Sequence, residues 1–441
     1  MTAVGTGPPP PESGLRKGLS AFRHHNFRVF WFGQLISLIG TWMQQVAQGW
    51  LVLELTNDPV ALGLVAAAQF LPVIVLGLFA GVLADAVSKR KALIATQVAA
   101  MVLALILAAL VYFGRVEVWH VFVLAGLLGV VNAFDMPVRQ AFVVEMVGRE
   151  DIANAVAYNS AVFNGTRIIG PAVAGLLIAT VGIAVCFFIN GLSYVAVIIG
   201  LLAMRRSELR PAPPSIVQRT ARSVIDSLTE GLRYVRDEPT VRLSLTVLGI
   251  VATVALNFQV LLPLLARDVL GGGAETFGFL MAASGVGSLI SSLSIAFGQR
   301  PTPRLLLAGA VAIGLAMIGL GVSRLLPLSL VLMLVTGWGV IAMAATTNTL
   351  IQLTTPDALR GRVMSVYTTI FAGSVPIGGL FAGGMAATAG VPAALALGGA
   401  LALVTVAYAI WRMPGGRAGT FLHDQMPETD ATRRPASAGP R

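Results

Sequence analysis

The sequence predicts an all-α polytopic membrane protein whose twelve transmembrane helices form two six-helix bundles. Three observations carry that expectation. Of 441 residues, 56% are apolar and only 11% are charged, against about 25% charged in a soluble domain, and the mean hydropathy is +0.82. Apolar stretches near the ~20 residues that cross a hydrocarbon core as a helix recur from Phe27 to Trp411. A polar break from Arg205 to Thr240 divides those stretches six and six.

Cutting at charged and turn-rich segments places the spans at 27–54, 60–84, 92–113, 118–146, 151–180 and 183–204, then at 241–266, 276–298, 304–322, 326–352, 361–388 and 391–411. Residues 1–25, polar and Pro-rich, read as an unstructured N-terminal segment; they lack the short apolar core and small-residue cleavage site of a signal peptide. The first bundle covers 26–204, the linker 205–240 and the second bundle 241–412, with 413–441 a disordered tail. In the linker, Val224, Ile225, Leu228, Leu232 and Val235 recur at helical spacing. That pattern predicts a short amphipathic helix at the membrane surface, with a plain tether as the other reading.

The net charge of +10 is explained by its placement. With both termini cytoplasmic, the outer loops hold Arg115, Arg267 and Arg324, balanced by Glu54, Asp58, Glu117, Asp268 and Glu275. Arg167 apart, the other 26 of the 30 Lys and Arg fall at or near the inner face, which fixes that orientation by the positive-inside rule. The basic residues thus form a collar at the inner leaflet, and no nucleic-acid partner is needed to account for them.

Catalytic classes find little support. No G-x-x-x-x-G-K-[ST] segment occurs, so ATP hydrolysis through a P-loop is excluded. His24, His25, His120 and His423 are peripheral, and no nucleophile–base–orienter set appears. The one cysteine, Cys186, excludes a disulfide framework and a Cys-based metal site. No enzymatic activity, cofactor or metal is therefore expected.

Polar content singles out the first span, with Gln34, Ser37, Thr41, Gln44, Gln45 and Gln48. Positions 37, 41, 44 and 48 share a face, so Thr41, Gln44 and Gln48 are expected on a cavity wall and, with Asn132 and Arg167, in contact with substrate. Trp42 and Trp50 would suit a bulky aromatic ligand or an interfacial position. The ninth and twelfth spans, without amides or charges in their interiors, read as scaffold. The halves also repeat. Shifted by 208 residues, Phe163, Gly165, Gly170, Ala174, Gly175, Thr180 and Gly182 meet Phe371, Gly373, Gly378, Ala382, Gly383, Thr388 and Gly390.

Twelve spans, a six-plus-six repeat and a basic central loop resemble the major facilitator superfamily, over about residues 20–412. GVLADAVSKRK, Gly81 to Lys91, is similar to its G-x-x-x-D-R-x-G-R-R-K signature, departing at Ala86 and Ser88; the matching AFGQRPTPR segment of the second half lacks the Asp. IIGPAVAG, with Gly170, Pro171 and Gly175, resembles the Gly-Pro motif of antiporters. NAFDMPVRQAFVVEMV and NAVAYNSAVFNGTRIIGP resemble the drug:H+ antiporter branch that includes the enterobactin exporter and macrolide efflux proteins. The resemblance implies export of drug-like or siderophore molecules by alternating access, with lysophospholipid transport, known in neighbouring branches, as an alternative. A membrane subunit of an ATP-driven complex is a third reading. It also implies a conformational latch at Gly81, Asp85, Lys89, Arg90, Lys91 and Arg139. Asp85 sits at a helix C-terminus, where the dipole disfavours a carboxylate, and calls for a basic partner; the plainer reading is that Lys89, Arg90 and Lys91 only enforce topology.

Arg167 is the charge in the least favourable place. If spans four and five form a hairpin turning near Gly148, Arg167 and Asp135 differ in depth by four residues, roughly 6 Å. An Arg167–Asp135 pair is therefore expected, either as a clamp or as a contact that substrate or proton breaks. Asp135 and Glu145 are the candidates for proton coupling, with Glu145 equally readable as a loop-end carboxylate. Pro171 should bend the fifth span, and Gly165, Gly170 and Gly175 should admit neighbours from several sides.

Overall fold

The computed structural model describes residues 19–210, 221–298 and 301–412, with backbone alone at 78–86 and 221–225. Spans 1 to 6 are His25–Thr56, Pro59–Ala86, Lys89–Tyr112, Val118–Val147, Ile152–Thr180 and Ile183–Leu202. A linker helix, Ala221–Asp237, follows. Span 7 comprises Pro239–Ala255 and Phe258–Leu264, closing in a π-helical turn at Leu265–Val269. Spans 8 to 12 are Ala274–Ala296, Pro303–Val322, Leu326–Thr354, Asp357–Ala389 and Val391–Arg412. Eleven of these twelve are long and apolar enough to cross a membrane. Span 1, 32 residues long, falls short through its glutamines yet packs against spans 5 and 6 like the rest.

Local chemistry sets the span ends. Asp58 accepts a hydrogen bond from the Val60 amide (2.8 Å) and Thr302 from the Leu305 amide (3.3 Å), each beside a proline in the first turn, a position where the missing N–H is harmless. Gly182 and Gly390, repeat partners, end spans 5 and 11 at φ +105° and +83°, a region that side chains disfavour. Span 7 breaks where the Asn257 side-chain amide donates to the Thr253 carbonyl (2.8 Å). Span 5 stays helical through Pro171. Ahead of span 1, Ser20–Arg23 forms a 3-10 turn within the segment expected to be unstructured; the Ala21 amide donates to Asn154 and Phe22 sits edge-on to Tyr158 and Trp31. Residues 1–18 and 413–441 lie outside the described residues.

The linker helix forms as its periodicity predicts, but its apolar face meets protein. Leu228, Tyr234 and Val235 pack with Val363 and Val366 of span 11. Glu230 pairs with Arg362, and the Tyr234 hydroxyl donates to the Thr354 carbonyl (3.0 Å). The helix is thus an appendage of the second half rather than a surface float, and only Leu232 is prominently exposed among its described apolar side chains.

The halves meet along two seams, spans 5 and 8 and spans 2 and 11, both near the face opposite the termini. A methyl group at Gly63 would lie 2.4 Å from the Gly379 carbonyl oxygen, one at Gly278 2.4 Å from that of Pro171, and one at Gly383 2.6 Å from that of Pro59. The repeat recurs in these surroundings. Gly170 abuts span 1 at Trp42 and Gly378 abuts span 7 at Thr253, Gly175 abuts span 8 and Gly383 span 2, while Gly165 and Gly373 both face open space. Gly165 therefore admits no neighbour, contrary to expectation. The largest buried core draws on both halves, from Met43 to Leu53 and from Val247 to Ala266, whereas toward the termini each half keeps its own, around Phe30 and Phe142 and around Val363 and Val366. Arg267 also donates to Asn57 across the closed face (2.5 Å). The core shared by the halves thus lies opposite the termini, and toward the termini their buried cores are separate. Spans 3, 6, 9 and 12 pack mainly within their own halves.

Because backbone faces backbone at Gly63, Gly63→Val should wedge the seam apart. A cysteine placed at Val65, buried on the closed side, is expected to react several-fold faster with an impermeant maleimide added from the face opposite the termini; an unchanged rate would show that the seam tolerates the side chain.

Candidate functional site

Asp135 lies on span 4, 6% exposed, and its carboxylate is fully engaged. Oδ2 receives the Arg139 guanidinium (2.5 and 2.7 Å), one helical turn on. Oδ1 accepts from the Thr96 hydroxyl (2.6 Å) and the Gln97 amide (2.8 Å) of span 3. The i,i+4 spacing puts Arg139 on the same helix face, and Phe30 of span 1 lies beneath its guanidinium at 5.8 Å. The expected Arg167–Asp135 pair is absent. The hairpin arithmetic gave relative depth but not azimuth: span 5 packs chiefly on spans 1 and 8 and span 4 on spans 2 and 3, so the two barely touch.

Arg167 has no hydrogen bond or ion pair among the described residues, and its Nε is buried without a partner. Its guanidinium lies 5.8 Å from the Trp42 ring, which meets Phe163 edge-on at 5.5 Å. The Trp42 Nε1 is likewise buried and unpaired. A charge at the bilayer centre costs at least ~2.5 kcal/mol by insertion scales, and each orphaned buried donor about 1–3 kcal/mol; cation–π attraction, about 0.5–2 kcal/mol, offsets part of this. Gly170 explains how Trp42 fits, since a methyl there would lie 2.5 Å from the Trp42 Cβ. Signature residues Gly170 and Pro171 are buried, and Gly175 lies in the span 5–span 8 seam.

The other substrate candidates divide. Gln44 is buried and accepts from Asn190 of span 6 (2.6 Å), and Thr41 donates to its own helix at the Ser37 carbonyl (2.9 Å). Their shared face is a packing surface against span 6 rather than a cavity wall; another helix satisfies the polar groups as well as water would. Asn132 is half-buried. Gln48 donates to Gln69 of span 2 (3.3 Å). With Gln45 and Gln259 they line a cavity of about 20 Å³ in the closed region, room for about one water. Gln69 and Gln259 went unremarked in the sequence, though an amide within an apolar span marks an inward-facing position.

Near the terminal face, Glu145 pairs with Lys89 (2.8 Å). Arg90 donates to the Leu201 and Leu202 carbonyls (2.6 and 3.1 Å), capping span 6. Lys89, Arg90 and Arg139 each have a partner among the described residues. Lys91 is exposed. The Asp85 side chain and the surroundings of Gly81 lie outside the described residues, and so does any contact with the expected Asp85. No group of three or more His, Cys, Asp or Glu able to hold a metal occurs among the described residues.

These contacts set up a double-mutant cycle on thermal stability in detergent. Asp135→Ala and Arg139→Ala should couple by about 1 kcal/mol or more, whereas Asp135→Ala and Arg167→Ala should add within about 0.5 kcal/mol. Equal coupling in the two cycles would restore the Arg167–Asp135 pairing.

Residues 16–433 match the family model described as "Transmembrane secretion effector". The chain is 31% identical over 374 residues to the multidrug efflux pump Tap of Mycolicibacterium fortuitum, covering 82% of this chain and 89% of that protein. It is 25% identical to the staphyloferrin A transporter of Staphylococcus aureus, covering 80% and 87%, and 25% identical to macrolide efflux protein A of Streptococcus pyogenes, with the same coverage. In fold it is similar to a bacterial homologue of the human lysosomal transporter Spinster in an inward-facing, occupied conformation (TM-score 0.69, 12% identity, 88% and 96% covered). A nucleoside transporter, NupG, is also similar (TM-score 0.65, 11% identity, 90% and 98% covered). With helices that span, a repeat that packs as a repeat and relatives of this kind, the chain belongs to the transmembrane secretion effector family and is an efflux transporter of the major facilitator superfamily.

Proposed function

We propose that the protein exports amphipathic small molecules, drug-like or siderophore, from the cytoplasm in exchange for protons by alternating access. The carrying observation is the shape: glycine seams from both repeats seal the face opposite the termini, while separate cores part the halves on the other. With both termini cytoplasmic, as the distribution of Lys and Arg indicates, this is a state open to the cytoplasm. It would load from inside and discharge when the seams open. The names of the relatives, multidrug, macrolide and siderophore transporters, supply the substrate range.

Asp135 is the group on which proton coupling is placed. It is a buried carboxylate with four donors around it, on a span that faces the middle of the first half. Protonation would release Arg139 and loosen the link between spans 3 and 4. Glu145 and Lys89 serve the conformational latch, with Arg90, Lys91, Gly81 and Asp85 in the same loop region. Gln48, Asn132 and Arg167 remain on the substrate path; Gln44 and Thr41 support it from the span 6 side. The working unit is a monomer in the bacterial cell membrane.

Inverted vesicles with an acidified lumen test this. Adding catecholate siderophores, macrolides or lipophilic cations should dequench a lumenal pH dye for at least one class, and Asp135→Asn should abolish the response while the protein still inserts. A response that survives Asp135→Asn would remove the carboxylate from the coupling, and silence across all classes would count against proton antiport.

A further inference from the structure

Arg167 and Trp42 present buried donors and no acceptor at one place in the first half. The Arg167 Nε and the Trp42 Nε1 are sealed without partners, and the acid at a suitable depth, Asp135, is saturated by Arg139, Thr96 and Gln97. Trp42 stacks against the cation and leaves its charge unneutralised. Arg167 is itself only partly buried, and a carboxylate would both accept hydrogen bonds from its guanidinium and balance the charge. The site is also one-sided. The repeat partner of Arg167 is Val375, so the second half offers no equivalent cation. Beside the donors, Phe163 is 47% exposed, and its repeat partner Phe371 is 38% exposed and stacked on Tyr367.

We propose that Arg167 and Trp42 form an acceptor site for a carboxylate, so that the exported molecules include amphipathic acids bound head-first to the first half, their apolar bodies lying against Phe163. The inference rests on the export reading, and names one chemical class within it.

The test uses the purified full-length protein in phosphatidylcholine nanodiscs, which contain no anionic lipid to compete. The probes are 1-naphthaleneacetate and its uncharged amide, 1-naphthaleneacetamide, titrated at neutral pH. The acid should bind at least tenfold tighter than the amide. Arg167→Gln should bring the two within about threefold by weakening the acid alone, and Arg167→Lys should restore part of the preference. Trp42→Phe keeps the ring and removes one donor; it should weaken the acid several-fold and leave the amide unchanged, which also covers the case in which Arg167→Gln fails to fold. Equal affinity for acid and amide in the unmodified protein, or a preference that survives both substitutions, overturns the site. Efflux of both probes from cells separates the two readings. Export of the amide without acid preference would remove the anion site and leave export standing, whereas acid preference in binding without any efflux would do the reverse.

Discussion

A polar side chain inside this bundle must find its partner inside the bundle, because the surrounding hydrocarbon offers none. Most do so economically. Thr41, Thr253, Ser288 and Thr347 return their hydroxyls to the carbonyl one turn back. Gln44 meets Asn190, Gln48 meets Gln69, and Asp135 gathers Thr96, Gln97 and Arg139. Each bond also fixes which helices lie side by side: 1 with 6, 1 with 2, 3 with 4. The arrangement of the first half is in this sense a record of how most of its polar groups were satisfied, and Arg167 stands out among those left unmet because it is a cation with no carboxylate beside it among the described residues.

The second half is organised differently. Along spans 8 and 11 it meets the first half through glycines set close against the facing backbone. Gly278 and Gly285 admit span 5, while Gly379 and Gly383 admit span 2. Such contacts lack directional bonds and can separate without stranding a buried polar group, which suits surfaces that part and re-form. The networks at Gln44, Gln48 and Asp135 lie within the first half, the glycine seams lie between halves, and Arg267–Asn57 bridges them at the closed face. That division separates what must stay rigid from what must move.

Much of the fold was legible from the sequence. Apolar runs located all twelve spans, and the 208-residue repeat anticipated matching environments for Gly170 and Gly378 and for Gly175 and Gly383. The site was legible only in composition. Asp135, Glu145 and Arg167 stood out as costly residues, but their partners depended on which helices are neighbours, a non-local property. Arg167 and Asp135 lie on helices with different neighbours, and Glu145 finds Lys89, 56 residues away. The polar stripe at 37, 41, 44 and 48 was real, yet period alone cannot distinguish a face turned to water from one turned to Asn190.

The seams bear on how the two halves could diverge after duplication. A duplicated segment is ordinarily free to drift once its twin retains the original role. Here Gly63 is held against Gly379, and Gly278 against Pro171 and Gly175, so a larger residue at Gly63 in the first copy or at Gly278 in the second collides with the backbone of the other. The copies police each other along the seam, and drift there has to be concerted. No such reciprocity acts on the cavity side, where position 167 holds arginine and its counterpart 375 holds valine. New substrate chemistry can therefore arise in one half at a time while the machinery that opens and closes remains shared.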